Sequence, residues 1–152
     1  MATLGTFVDG FPLTAAELNA IGTWVSYTPT FTNVTVGNGT VDFKYCRLNK
    51  LVLLKGQFVY GSSSSVTGII RFTLPTGLSA ISTSGLFAAA KILDAGVAGY
   101  VAAIEPVTTS QMQVVVANTA ATYGSWAGTS GTVPMTWGTG DLFDVTLFYE
   151  VA

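Results

Sequence analysis

Along residues 143–151, Phe143, Val145, Leu147, Tyr149 and Val151 fall on one face, and Asp144, Thr146 and Glu150 lie mainly on the other. A period of two is the mark of a β-strand with one buried face, and a helix cannot satisfy it. The same pattern runs through Val41, Phe43 and Tyr45, which alternate with Asp42, Lys44 and Cys46. Leu51, Leu53 and Val59 on one face, with Val52, Leu54 and Phe58 on the other, predict a central strand buried on both. Further apolar runs predict strands at 31–35, 69–74, 86–93, 97–104 and 111–117.

The punctuation between the runs is that of turns. Arg47-Leu48-Asn49-Lys50 reads as a tight hairpin, with Asn49 able to adopt positive φ. Gly37-Asn38-Gly39 marks a similar turn, and Asp94-Ala95-Gly96 another in the middle of the apolar stretch 86–104. That stretch is long enough for a bilayer span, but it carries Lys91 and Asp94. A charge near the bilayer centre costs ~2.5–3.5 kcal/mol, so a hairpin of two strands is the expectation, without membrane insertion. Ser62-Ser63-Ser64-Ser65 reads as a flexible tip and 123–131 as a long loop inside the domain. Short strands with regular turn signals predict an all-β chain, an antiparallel β-sandwich of jelly-roll-like form over 25–152.

One helix signal precedes the strands. Thr14-Ala15-Ala16-Glu17 is a capping box, Leu13 and Leu18 fit a hydrophobic staple, and Gly22 stands at a left-handed end. The result is a helix of about two turns over 15–21, too short to persist alone. It has to dock on something.

Composition removes most chemistry. Histidine is absent, so Ser-His-Asp and Cys-His catalysis and the usual zinc sites are not available. No enzymatic activity, cofactor or metal is expected. The net charge of −2 argues against a nucleic-acid partner. Cys46 is the one cysteine, expected as a semi-buried structural thiol. Paired carboxylates remain as an acid–base device, and the candidates are Asp42, Asp141, Asp144 and Glu150. Asp144 and Glu150 share a strand face but lie ~20 Å apart at ~3.3 Å per residue, too far for one glycosidic bond. A cross-strand pair of Asp42 with Asp144, or a calcium site from Asp141 and Asp144, carries no further mark. Gly37-Asn38-Gly39-Thr40 lacks the third glycine and the following helix of a dinucleotide loop.

Only 9% of residues are charged, against about 25% in ordinary soluble domains. In their place stand 22 Thr and 11 Ser. Such a chain needs a neutral hydroxyl surface and burial of apolar area between subunits, and a homotrimer is the expected assembly. Trp24, Tyr27, Phe31, Trp126 and Trp137 can serve either a sugar-binding groove or cores and interfaces. Trp24 and Tyr27 are expected to pack beneath the short helix, and Trp126, in its Gly/Ser loop, to make an exposed contact.

Phe7-Val8-Asp9-Gly10 followed by Leu13-Thr14-Ala15-Ala16-Glu17-Leu18-Asn19 resembles the virion-attachment segment of tailed-bacteriophage fibre and minor structural proteins. Trp24-Val25-Ser26-Tyr27-Thr28-Pro29-Thr30, the Gly37-Asn38-Gly39-Thr40 turn and the 45–52 run are similar to the β-sandwich module of phage head-decoration, head-fibre and tail-fibre proteins. Asn49 stands where such modules often have Gly. The resemblance covers roughly residues 7–60. It implies a trimeric capsid decoration protein, made in the host cytoplasm and carried on the particle surface. Residues 1–24 would attach it to the major capsid protein or another virion subunit through Phe7, Val8, Asp9, Leu13 and Leu18. Trp24, Tyr27 and Trp126 would serve subunit or surface contacts. The alternative within the same family is a tail-fibre module that recognises a host surface glycan with Trp126, the 62–65 tip and the 123–131 loop.

Overall fold

The computed structural model describes residues 14–15, 21–84, 87–120 and 124–152. Phe7, Val8, Asp9, Leu13, Leu18 and most of the predicted 15–21 helix lie outside the described residues. Ten strands follow in order: β1 (Val25–Tyr27), β2 (Phe31–Thr35), β3 (Thr40–Leu48), β4 (Leu51–Val59) and β5 (Ser65–Thr73), then β6 (Phe87–Asp94), β7 (Ala98–Thr108), β8 (Gln111–Asn118), β9 (Ser125–Gly128) and β10 (Leu142–Glu150). All the pairings between them are antiparallel.

The expectation of an all-β antiparallel chain is met. Its strands join in a single hydrogen-bonded path, β1-β3-β4-β10-β6-β7-β8-β5-β2, with β9 added beside β8. The two ends of this path, β1 and β2, are consecutive in the chain and joined by residues 28–30 alone. The sheet must therefore curl until its edges meet, and it forms a half-barrel. Across the gap the Tyr27 hydroxyl of β1 donates to the Thr73 carbonyl of β5 (3.4 Å), while Thr73 N–H donates to the Thr30 carbonyl (3.1 Å) and Thr30 N–H to Thr73 Oγ1 (3.0 Å), which extends the β2–β5 pairing.

No backbone pairing links β2 to β3; aromatic rings fill that seam instead. Phe31 of β2 meets Phe43 of β3, Phe58 of β4 and Phe143 of β10 at centroid separations of 5.9, 5.7 and 6.3 Å. Phe43 in turn reaches Phe72 of β5, on the other half of the sheet, at 5.5 Å. The concave face thus encloses one core, in which Val52, Leu54, Phe58, Ile70, Phe72, Ile92, Met112 and Phe143 are fully buried.

The sequence patterns translate unevenly. On β10 the alternation is realised as read: Phe143, Val145, Leu147, Tyr149 and Val151 are all buried. Cys46 is buried and free, and Asn49 takes positive φ in the β3–β4 turn. The stretch 86–104 contributes β6 and β7, joined at the expected turn by Val97 N–H to the Asp94 carbonyl (3.0 Å). β4, however, buries only Val52, Leu54, Gly56 and Phe58, while Lys55 and Gln57 face water and Leu51 is exposed. The sheet is one layer curled round its core, and among the described residues no second sheet covers the outer face of β4. Within 123–131, expected as a loop, lies the short strand β9.

The 62–65 tip is also not a free loop. Asn38 N–H donates to Ser63 Oγ, Asn38 Nδ2 to Ser62 Oγ, and Ser63 N–H back to Asn38 Oδ1. Ser64 is buried and its hydroxyl donates to the Val36 carbonyl. Gly37, at φ 56°, permits this: a Cβ there would stand 2.3 Å from the Ser63 carbonyl oxygen.

Candidate functional site

Two features of the outer surface stand out against its neutral background. The first is a charged patch built by strand register. Asp42 on β3 is paired with Gln57 on β4, Gln57 with Asp144 on β10, and Asp144 with Lys91 on β6. Residues directly opposite on one face lie about 4.5–5.5 Å apart, so these four form a continuous row across the strands. One step along the strands, Lys44 is paired with Lys55, and Lys55 with Thr146. Lys44 Nζ meets Asp42 Oδ2 at 3.0 Å, Lys91 Nζ meets Asp144 Oδ2 at 3.8 Å, and Gln57 Nε2 donates to Asp144 Oδ1 at 2.8 Å. Between them opens a shallow cleft of about 280 Å³, floored by Gly56 and Val145.

The row settles the carboxylate question geometrically. Asp42 and Asp144 share a face, two strand spacings (roughly 9.5 Å) apart, with Gln57 between them. Each has a cationic partner, Lys44 for Asp42 and Lys91 for Asp144. Asp141, by contrast, is buried and structural: it accepts from Ala95 N–H (2.9 Å) and Gly138 N–H (2.6 Å), tying the β6–β7 turn to the entry of β10. Among the described residues no group of three His, Cys, Asp or Glu side chains is placed to hold a metal.

The second feature is an apolar end. Ile21, Trp24, Leu48, Leu51 and Ile81 are large, exposed and close together in the topology. Leu48 and Leu51 face each other across the β3–β4 turn. Gly22 lies against Leu48, since a Cβ there would be 3.7 Å from Leu48 Cδ2. Ile81 is fixed beside them by its N–H to the Glu150 carbonyl (2.8 Å), and Glu150 pairs with Leu51. Ile21, the first residue of the described stretch 21–84, lies at this end.

The predicted contact residues separate. Trp24 lies between the two features, 39% exposed, with Lys55 Nζ 4.5 Å from its ring centroid. Tyr27 is half-buried in the seam, edge-on to Phe43 and Tyr45, with its hydroxyl donating to the Thr73 carbonyl (3.4 Å). Trp126 is 50% exposed on β9, paired with Ala117. Trp137 is buried, stacked on Tyr60, and its indole N–H donates to the Ser130 carbonyl. The aromatics do not form one groove. The sequence assigns no site role to Lys55, Gln57 or Lys91, because their proximity exists only through the pairing of β3, β4, β10 and β6.

No protein-family model matches the chain, and no curated protein or solved structure is similar to it.

Proposed function

We propose that this protein is a structural component of a bacteriophage particle surface, a homotrimeric capsid decoration protein held by its N-terminal segment. The observation that carries the reading is the apolar end of the half-barrel, where Trp24, Leu48, Leu51 and Ile81 stand exposed together with Ile21, the first residue of the described stretch 21–84. Exposed apolar groups gathered in one place mark an interaction surface, whereas scattered ones do not. The resemblance of residues 7–19 to a virion-attachment segment supplies the identity of the partner, the major capsid protein or another virion subunit. A short helix over 15–21, completed on docking, and a jelly-roll-like flattening of the curled sheet belong to the same proposal. Contacts made through neutral hydroxyl and apolar groups are little weakened by salt, which suits a protein carried on a particle through changing media. Display needs no catalytic group.

The test is location. Reconstruction of intact particles is expected to show three-fold density of this chain on the head, with residues 1–24 against the shell. Chain lacking residues 1–22 is expected not to bind undecorated heads. Density on the tail, or undiminished binding of the truncated chain, overturns the reading.

A further inference from the structure

Of six Lys and Arg and eight Asp and Glu in the chain, three lysines and two aspartates gather in the patch on β3, β4, β10 and β6. A chain that covers itself with Thr and Ser has no need to concentrate charge there for solubility. Lys44 and Lys91 are each paired with an aspartate, but among the described residues Lys55 has no ion pair. Lys55 lines the cleft, and its ammonium rests 4.5 Å from the Trp24 ring centroid, a contact that leaves its charge without a carboxylate.

We propose that this cleft binds a single sugar ring bearing one acidic group, a carboxylate or a phosphate. Sugar hydroxyls both donate and accept, and the cleft lining offers both: Asp42 and Asp144 accept, while Lys44 and the Gln57 amide donate. The local excess of one positive charge, located on Lys55, is the partner for the acidic group. The cleft volume of about 280 Å³ lies just under the ~300–1,000 Å³ of ordinary ligand pockets, which fits one ring and not a long chain. Its shallowness and exposure set the affinity in the millimolar range. The proposal is independent of the assembly reading: a decoration protein with or without this site has the same fold and the same apolar end.

The experiment titrates the full chain with glucose, glucuronate and glucose phosphate, followed by calorimetry and ligand-observed NMR. An exposed charge pair contributes about 0.2–1 kcal/mol, so the acidic sugars are expected to bind about 1.4- to fivefold more tightly than glucose. Lys55→Gln is expected to abolish that preference. Lys50→Gln, which removes one positive charge from the β3–β4 turn, is expected to preserve it. Both positions are exposed, and unchanged circular dichroism confirms the fold. The stronger of the two acidic ligands identifies the source of the anion. Absence of saturable binding, equal binding of all three sugars, or an equal effect of Lys50→Gln and Lys55→Gln overturns the proposal.

Discussion

Gly56 is the position where a single atom decides the packing of the seam. It faces Phe43 across the β3–β4 pair, and an added Cβ would stand 2.3 Å from the Phe43 ring. The ring lies flat on the glycine, where it covers backbone that has no side chain of its own. Gly56→Ala is therefore expected to destabilise the fold by about 1–3 kcal/mol through overpacking, read as a lowered Tm. Phe43→Leu in the same chain is expected to recover part of the loss, because the two residues share one space. Tyr149 presents the opposite case. It is 1% exposed and its hydroxyl has no hydrogen-bond partner among the described residues. Burial, reinforced by the neighbouring Tyr45, pushes its ionisation well above that of a free tyrosine, and burial with Tyr149 alongside does the same to Tyr27. Unfolded tyrosines lose their protons near pH 10, before these two do, so the unfolded state binds fewer protons above that point. Stability is expected to be insensitive to tyrosine ionisation below about pH 9 and to fall as pH rises through 10 and beyond. Tyr149→Phe removes an unpaired buried hydroxyl: urea unfolding should show a gain of about 1 kcal/mol at neutral pH and a shallower alkaline decline.

At the level of elements, the seam between β2 and β3 separates what local pattern encodes from what it does not. The strands themselves were legible, because alternation such as Phe143 to Val151 depends only on the residue and its second neighbour. Their partners were not. The Gly37-Asn38-Gly39 turn connects β2 and β3, which would ordinarily make a hairpin, yet β2 pairs with β5 and β3 with β1 and β4. Turn chemistry specifies that the chain reverses and says nothing of whether the arms hydrogen-bond. The same limit hid the charged cleft, since Asp42, Gln57, Lys91 and Asp144 come from four separate strands. The reading of β4 as buried on both faces failed because Leu51 and Leu53 are apolar without being enclosed, and composition alone cannot distinguish a core face from an uncovered one. Since rings hold the seam where backbone bonds are missing, Phe31 should matter more than a half-buried edge residue usually does. Phe31→Ala is expected to cost about 3 kcal/mol, and amide exchange should accelerate first in β1 and β2. Uniform acceleration across all strands would show that the seam has no separate stability.

For the whole molecule, the argument turns on how a curled single-layer sheet deals with its outer face. A sandwich hides one face of each sheet against the other, but here the convex side of β3, β4 and β10 meets solvent or a partner. Much of that side is made tolerable by the polar and charged row of Asp42, Lys44, Lys55, Gln57, Asp144 and Thr146; the end formed by Leu48, Leu51, Ile81, Ile21 and Trp24 is not. Burying a large aliphatic side chain contributes about 1.5–3 kcal/mol, so a few such residues per subunit suffice to hold an assembly together. Replacing Leu48 and Leu51 together by lysine leaves the core untouched, since both are over 40% exposed, but places charges where a sister subunit would have to bury them. Sedimentation of the native chain is expected to give a trimer, and the double variant a monomer with an unchanged circular dichroism spectrum. A native chain that sediments as a monomer at micromolar concentration would mean that this end serves only the attachment to a shell. A double variant that remains trimeric would place the subunit contacts elsewhere, and the exposed Val97, Val101 and Trp126 on β9 and the β6–β7 hairpin would be the next surface to charge.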